Sequence, residues 1–203
     1  MNQDKKPIQV WPTRRYVRER RLIDKIKKVF GPNCIKKNTK YGYGIYAETR
    51  RNLIIFQSGD IEIRINYHFS DNELGFFGTG VDFIDYATKE IEADISHKVY
   101  YYVLLVFGIS EEDEIYFTIP IFFIKNNKQE ISKSEYKGSI PPQYKFNIIS
   151  RNGKYWLRLK NNQLEDISIF HTNIKNLLNQ NLINRYEEEK EKYFSTKKDK
   201  EEL

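Results

Sequence analysis

The feature that most constrains the fold of this chain is a pair of apolar runs, "KVYYYVLLVFGI" at 98–109 and "IYFTIPIFFI" at 115–124, separated by the polar turn "SEEDE". A continuous apolar run of this length predicts a strand buried on both faces, because a strand with one solvated face would alternate polar and apolar residues. Pro120 lacks a backbone N–H donor, which predicts an edge or a bulge in part of the second strand. The two runs therefore predict a sheet that is covered on both sides.

Two further strand pairs are predicted from alternating patterns around turn residues. "NLIIFQ" and "IEIRINYHF" lie on either side of a turn at Ser58 and Gly59. "YKFNIIS" and "KYWLRLK" lie on either side of Asn152 and Gly153, a dipeptide that suits a tight hairpin turn. Trp156 is expected to pack on the sheet in this second hairpin.

Helical patterns precede, interrupt and follow these strands. One covers 13–30 and ends before a Gly-Pro pair, a second covers "GVDFIDYATKEIEADIS", and a third is expected to begin after Asp166 or Ser168. We therefore predict an α+β fold, in which a mainly antiparallel sheet or partial barrel of about six to eight strands is flanked by N-terminal and C-terminal helices.

Three parts of the chain differ in charge and in pattern. We expect a basic N-terminal helix at 1–32, an α+β core domain at 33–180 and a charged C-terminal helix or tail at 181–203. The last part is so rich in charge that we expect a free helix or a disordered segment. The N-terminus does not resemble a signal peptide and no apolar run is long enough to span a bilayer, so we expect a cytoplasmic protein without membrane contact.

Positive charge is concentrated near the N-terminus. The chain has 34 Lys and Arg against 28 Asp and Glu, a net charge of +6, and residues 1–51 hold 15 of these cations and four of these anions. This quarter of the chain carries +11, and the remainder therefore carries −5. Such asymmetry favours a polyanion partner that is contacted from one side, and a solvated basic extension is the alternative.

The N-terminal helix combines an apolar side with a line of cations. Tyr16, Ile23, Ile26 and Phe30 fall on one side of it. Cations recur at spacings of three and four, which places them in one stripe that repels itself unless a phosphate backbone neutralises it. An ordinary solvated face is the alternative. This helix supplies the first group of expected DNA contacts: Arg14, Arg15, Arg18, Arg21, Lys25 and Lys28.

The stretch "KKNTKYGYGIYAETRR" at 36–51 follows this helix, and in it basic residues flank alternating Tyr and Gly. Glycine allows close approach of the backbone, and tyrosine offers a stacking face, so the stretch is compatible with a nucleic-acid contact loop. A pair of strands with Tyr on one face and Gly on the other explains the pattern equally well. The first interpretation supplies a second group of expected contacts: Lys36, Lys37, Lys40, Tyr41, Tyr43, Arg50 and Arg51.

The candidate catalytic residues lie in or near "SGDIEIRINYHF" at 58–69. Asp60 and Glu62 could bind Mg²⁺ through oxygen, with Glu48 as an alternative leading acid. Arg64 stands where restriction-type nucleases usually carry lysine, and arginine can hold a phosphate but cannot act as a base. The interpretation that we favour is a solvated strand face, on which Glu62 and Arg64 are ordinary polar residues.

The block from about residue 75 to residue 170 runs "GFFGTGVDFID", a short helix, the two apolar runs, a polar loop and "YKFNIISRNGKYWLRL". This order resembles modules of prokaryotic restriction-type DNA-recognition and endonuclease proteins. Those modules have an aromatic-glycine strand, a helix, a hairpin whose second strand reads like "IPF", and a closing hairpin. The resemblance implies a role in DNA recognition or restriction, and it carries over no catalytic residue.

These patterns together predict a duplex DNA-binding protein of the restriction or defence type that contacts the phosphate backbone through its basic N-terminal helix. A metal-dependent restriction-type endonuclease, which would use Mg²⁺, is the alternative in the enzyme class. A protein-interaction module whose basic helix binds an acidic partner is the second alternative. Duplex DNA is the expected partner, and the sequence is compatible with a homodimer.

Overall fold

The computed structural model describes residues 14–35, 53–70, 74, 76–94, 96, 98–108, 112, 114–135, 142–172, 174–176 and 179–201. The helices are α1 (Arg14–Phe30), α2 (Val81–Ala93), α3 (Ile121–Asn126) and α4 (Gln180–Glu201). The strands are β1 (Leu53–Ser58), β2 (Ile61–Ser70), β3 (Phe76–Gly80), β4 (Val99–Phe107), β5 (Ile115–Pro120), β6 (Ser132–Lys133), β7 (Gln143–Arg151), β8 (Lys154–Arg158), β9 (Leu164–Asp166) and β10 (His171–Thr172). Two short 3₁₀ turns, Ser168–Phe170 and Ile174–Asn176, flank β10.

Strand β4 lies at the centre of the first sheet, whose strand order is β1-β2-β4-β5-β10. It pairs in parallel with β2 and antiparallel with β5. A parallel pair needs a long crossover, and here the chain between β2 and β4 passes through β3 and α2. All but one of the nine β4 residues are buried, which confirms the strand predicted from the first apolar run. The other pairs of described strands are antiparallel, and the predicted α+β class is confirmed, without closure into a barrel.

Helices α1 and α4 cover one face of the first sheet. The rings of Phe30 in α1 and Phe56 in β1 lie 5.0 Å apart. Tyr186 of α4 lies 4.9 Å from the ring of Tyr100 in β4 and is 1 % exposed. The two terminal helices therefore pack on the same face of the first sheet, as the prediction of flanking helices requires, and the end of α4 also reaches α2.

Helix α2 and the second sheet cover the other face. The second sheet has the order β3-β7-β8-β9, and β6 also pairs with β7. The ring of Phe83 in α2 lies 6.2 Å from that of Tyr101 in β4, and the ring of Tyr155 in β8 lies 5.0 Å from that of Phe117 in β5. The first sheet is thus the middle of three layers.

The second apolar run does not continue as a strand beyond Pro120. Strand β5 ends there, and "IFFI" forms the first turn of α3, in which all four residues are buried. Proline has no N–H to extend the hydrogen-bond ladder. A strand would divide these four side chains between two faces, whereas one helical turn buries them together, so the expected return strand is shorter than predicted.

The helix expected directly after Asp166 or Ser168 is also absent from the described residues around it. The Asp166 side chain accepts a hydrogen bond from the backbone N–H of Ser168 at 2.9 Å, and this starts a 3₁₀ turn. Strand β10 then pairs with β5, and the α-helix begins only at Gln180. Backbone pairing with an open sheet edge replaces helix formation here.

The C-terminal helix is docked on the core, so our expectation of a free helix or a disordered tail is wrong. Leu182 and Tyr186 are buried among the residues of the core. Glu189 is 3 % exposed, pairs with Arg185 at 2.7 Å and accepts a hydrogen bond from Asn126 of α3 at 2.6 Å. A few anchoring side chains hold a helix whose remaining surface is charged.

The predicted hairpin between β7 and β8 is confirmed. Asn152 and Gly153 have φ angles of 54° and 71°, as a two-residue hairpin turn of the primed type requires. Trp156 is partly buried and lies opposite Ile149. The turn thereby sets the register in which the indole packs across the sheet.

Gly153→Val is expected to lower the free energy of unfolding by about 1–3 kcal/mol, because valine is strained at positive φ. Apart from Gly153 and its two chain neighbours, no residue has an atom within 4 Å of the position that a Cβ would occupy, so the cost is conformational and does not come from crowding. Urea titration measures it. Asn152→Gly is the control, since glycine adopts the φ of 54° without strain. Equal midpoints for Gly153→Val and the parent protein would contradict the assignment of the turn.

Candidate functional site

The polar face of β2, which holds two of the four candidate catalytic residues, is buried. Glu62, Arg64 and Asn66 are 7 %, 2 % and 3 % exposed. They lie on the face of the first sheet that α2 and the second sheet cover. Our expectation of a solvated strand face is therefore wrong, because both faces of β2 lie inside the protein.

Arg64 is the buried centre of an ion cluster, which we define as Glu62, Arg64, Glu90 and Tyr101, and the side chain of Glu90 is 31 % exposed. The Nε of Arg64 donates to Glu62 Oε1 at 2.6 Å, and its Nη1 donates to the two carboxylate oxygens of Glu90 at 2.7 and 2.8 Å. The guanidinium also donates to the hydroxyl of Tyr101, and that hydroxyl donates to Glu90. The cluster links β2, β4 and α2 through groups that satisfy one another.

Glu90 is held in its ionised form within this cluster. Burial raises the pKa of Glu90, but hydrogen bonds from Tyr101 and Tyr86 and the charge of Arg64 outweigh burial and hold the pKa below its ordinary value of 4.5. A carboxylate with a lowered pKa is a poor general acid near neutral pH. The geometry thus assigns Glu90 the role of a counter-ion for Arg64.

The buried polar line continues along β2 beyond the cluster. Asn66 Oδ1 accepts a hydrogen bond from Thr79 of β3 at 3.0 Å and lies 2.6 Å from Nε2 of His68. Thr79 is fully buried. These contacts join the first sheet to β3 and leave the amide oxygen of Asn66 satisfied.

The structure does not gather the candidate catalytic residues into a metal site. Asp60 has a side chain that is 71 % exposed and pairs with Lys98, whereas Glu62 is bound to Arg64 inside the protein. Glu48 lies outside the described residues. Across the described part of the chain, no three His, Cys, Asp or Glu side chains are placed to hold a metal ion.

The cationic stripe of α1 is turned partly inward. Arg18 Nε, Arg21 Nη1 and Lys25 Nζ lie 3.5, 3.6 and 3.3 Å from the carboxylate of Glu114, whose side chain is 4 % exposed. Lys25 also donates to the hydroxyl of Tyr116 at 3.0 Å. The carboxylate of Glu114, which directly precedes β5, therefore contacts three of the cations that were expected to face DNA.

Arg18 makes several contacts that hold α1 against the first sheet. It is 3 % exposed, donates to the backbone carbonyls of Ser70 and Val106 at 3.2 and 3.3 Å, and lies 4.7 Å from the ring centre of Phe69. A phosphate could reach this guanidinium only if the helix left the sheet. The structure therefore places Arg18 with the residues that hold the fold together.

The remaining expected DNA contacts are placed as follows. Arg14 and Arg15 form the first turn of α1, and Lys28 is exposed near its end. The second group, at 36–51, lies outside the described residues. On the apolar side of α1, Ile26 is buried and Phe30 packs against the core, as the sequence predicts.

A cationic surface that sequence reasoning missed lies on the outer face of the second sheet. We call it the basic hairpin face and define it as Arg151, Lys154, Trp156 and Arg158. Arg151 lies opposite Lys154 across the strand pair, and both arginines and the lysine are exposed. The alternation in "KYWLR" is the signal that could have revealed it, because Leu157 on the opposite side of β8 is fully buried.

Contacts within this face orient its one aromatic ring. Trp156 Nε1 donates to the carbonyl of Arg151 at 3.4 Å, and Lys154 Nζ lies 5.8 Å from the centre of the indole. Asp166 lies opposite Trp156 and pairs with Lys154 at 3.0 Å. Three cations and one acid thus surround a partly exposed indole.

Glu62→Ala is expected to lower the free energy of unfolding by about 3 kcal/mol, near the lower end of the range for a broken buried ion pair, since Glu90 still contacts Arg64. Chemical denaturation measures the change. Asp60→Ala is the matched control, because it removes an exposed carboxylate next to the same strand and should leave the midpoint unchanged. Equal effects of the two substitutions would show that Glu62 does not stabilise the core.

Stability is expected to fall as the pH decreases below about 4.5, the ordinary pKa of Glu90. The pKa of Glu90 is lower in the folded protein, so the unfolded chain binds a proton more readily and acid favours unfolding. Glu90→Gln should flatten this dependence in urea titrations between pH 3 and 7. Glu112→Gln, which removes an exposed carboxylate, is the control for loss of charge. An unchanged dependence in Glu90→Gln would contradict the role of the cluster.

Comparison with known proteins places the chain in no group. No protein-family model matches it. Neither a curated protein nor a solved structure matches it at a significant level. Among the described helices, none is long and apolar enough to cross a membrane. The function of the protein therefore has to be argued from its own surface.

Proposed function

We propose that this protein binds duplex DNA through the basic hairpin face. The main observation behind the proposal is the tip of the β7–β8 hairpin, where residues 150–154 are all exposed and Arg151 lies opposite Lys154. A two-stranded ribbon of this kind fits the major groove of B-form DNA, which is about 12 Å wide. Arginine can then bind guanine edges, while lysine neutralises phosphate.

The inner side of the hairpin supports this role because it is rigid. Ile148 and Leu157, which pair across β7 and β8, are 1 % and 0 % exposed. Binding residues on a strand that is anchored in a core lose little conformational freedom on binding. The outer cations are therefore held in a fixed pattern along the ribbon.

Charge elsewhere in the chain supports the same partner. Residues 1–51 carry a net charge of +11, which attracts a polyanion over long range. Within the proposal, Arg14, Arg15 and Lys28 remain candidate phosphate contacts, whereas Arg18 serves the docking of α1. A role in restriction or defence rests on the order of elements in 75–170 and is part of the same proposal.

The double variant in which Arg151 and Arg158 are both replaced by alanine (Arg151→Ala/Arg158→Ala) is expected to bind duplex DNA more weakly than the parent protein. Fluorescence anisotropy of a labelled duplex measures the affinity. The loss of two phosphate or base contacts should also reduce the slope of log K against log salt by about two. The double variant Arg20→Ala/Lys27→Ala is the matched control, because it removes two exposed cations of α1 that are not proposed DNA contacts and changes the net charge equally. We expect this second variant to bind nearly as well as the parent protein.

The opposite ranking of the two variants would place the DNA contact on α1 and overturn the assignment to the hairpin. Absence of duplex binding by the parent protein at low salt would overturn the proposed function itself. Melting temperatures of both variants establish that the fold is retained, which is expected because all four side chains are exposed.

A further inference from the structure

A second cationic site lies in a cleft between α3 and α4, far along the chain from the basic hairpin face. The cleft has a volume of about 270 Å³. It is lined by the end of α3, the turn that follows, and the last turns of α4. We call it the lysine cleft and define it by its four cations: Lys125, Lys128, Lys192 and Lys197.

The lining of the lysine cleft contains no acidic residue. Besides the lysines, its polar groups include the hydroxyls of Tyr193 and Thr196. Four ammonium groups lie around one small space, two of them paired with acids from outside it, and a bound anion would balance the positive charge that remains. The arrangement therefore favours a ligand with several negative charges.

Two of the lysines are positioned by acids outside the cleft. Lys125 pairs with Asp85 of α2 at 2.6 Å, and Lys197 pairs with Glu92 of α2 at 3.0 Å. Tyr193 also donates to Glu92, at 2.9 Å. These contacts hold Lys125, Tyr193 and Lys197, which we call the back of the cleft, in place without a ligand. Because these side chains are already ordered, the entropic cost of binding is lower.

The other two lysines form the open rim. Lys128 and Lys192 are exposed, and their ammonium groups have no hydrogen-bond or ion-pair partner within the described part of the chain. Each ammonium group has three donors that can turn toward phosphate oxygens. The volume is below the roughly 300–1,000 Å³ of sites for drug-sized ligands, so a short anion fits better than a large apolar one.

We infer that the lysine cleft binds a small polyphosphate anion, such as an oligophosphate or the phosphate chain of a nucleotide. Lys125 and Lys197 contact it from the back of the cleft, and Lys128 and Lys192 close over it from the rim. The inference does not rest on the proposed binding of DNA, because the cleft and the basic hairpin face share no residue.

The test is calorimetric titration of the full chain with inorganic tripolyphosphate. Lys128→Met/Lys192→Met should weaken binding by about tenfold or more through loss of two charge-assisted hydrogen bonds. Lys89→Met/Lys198→Met is the matched control, since it removes two exposed lysines that do not line the cleft. We expect this control to bind like the parent protein.

Three results would overturn the inference. The first is absence of tripolyphosphate binding by the parent protein, and the second is equal weakening in both double variants, which would indicate attraction by overall charge. The third is loss of duplex binding in Lys128→Met/Lys192→Met as large as that in Arg151→Ala/Arg158→Ala, which would make the cleft part of a nucleic-acid path. Retained duplex binding together with lost tripolyphosphate binding supports two separate sites.

Discussion

The rest of the structure depends on the burial of β4 on both faces. A central strand with no solvated side needs a complete layer above the sheet and another below it. The chain provides α1 and α4 for one layer, and α2 with the second sheet for the other. Each layer must then carry enough apolar surface to cover the sheet, and large aromatic rings supply much of it.

Covering the sheet in this chain brings charges inside, because hydrophobic residues make up only 39 % of the sequence. Arg64 of β2 pairs with Glu62 and with Glu90 of α2, and Arg18 of α1 pairs with Glu114 beside the sheet. A buried cation without a counter-ion would cost several kcal/mol, so each arginine is matched with carboxylates and other acceptors. The same pairs specify where each helix sits on the sheet, since sliding the helix would separate them.

This internal pairing also separates the cations inside the fold from those near the surface. The acids that contact Arg18 and Arg64 hold these two cations inside, so our proposals concern cations that lie nearer the surface. These form two surfaces, the basic hairpin face on the outer sheet and the lysine cleft between two helices. A flat ribbon with an indole suits a long polyanion, whereas a small cleft suits a short one. The two surfaces therefore have distinct proposed ligands.

The sequence by itself determined the local elements whose signals are strong: the doubly buried β4, the Asn152-Gly153 hairpin, the α1 and α2 helices and the α+β class. It did not determine which polar faces are buried. Glu62 and Arg64 alternate with isoleucines as on a solvated strand, and only the docking of α2 encloses them. The cations of α1 pair with Glu114, and Lys125 and Lys192 line the same cleft, because segments that are distant in the sequence pack together. Periodicity describes one element at a time, whereas burial and pairing depend on the element that packs against it.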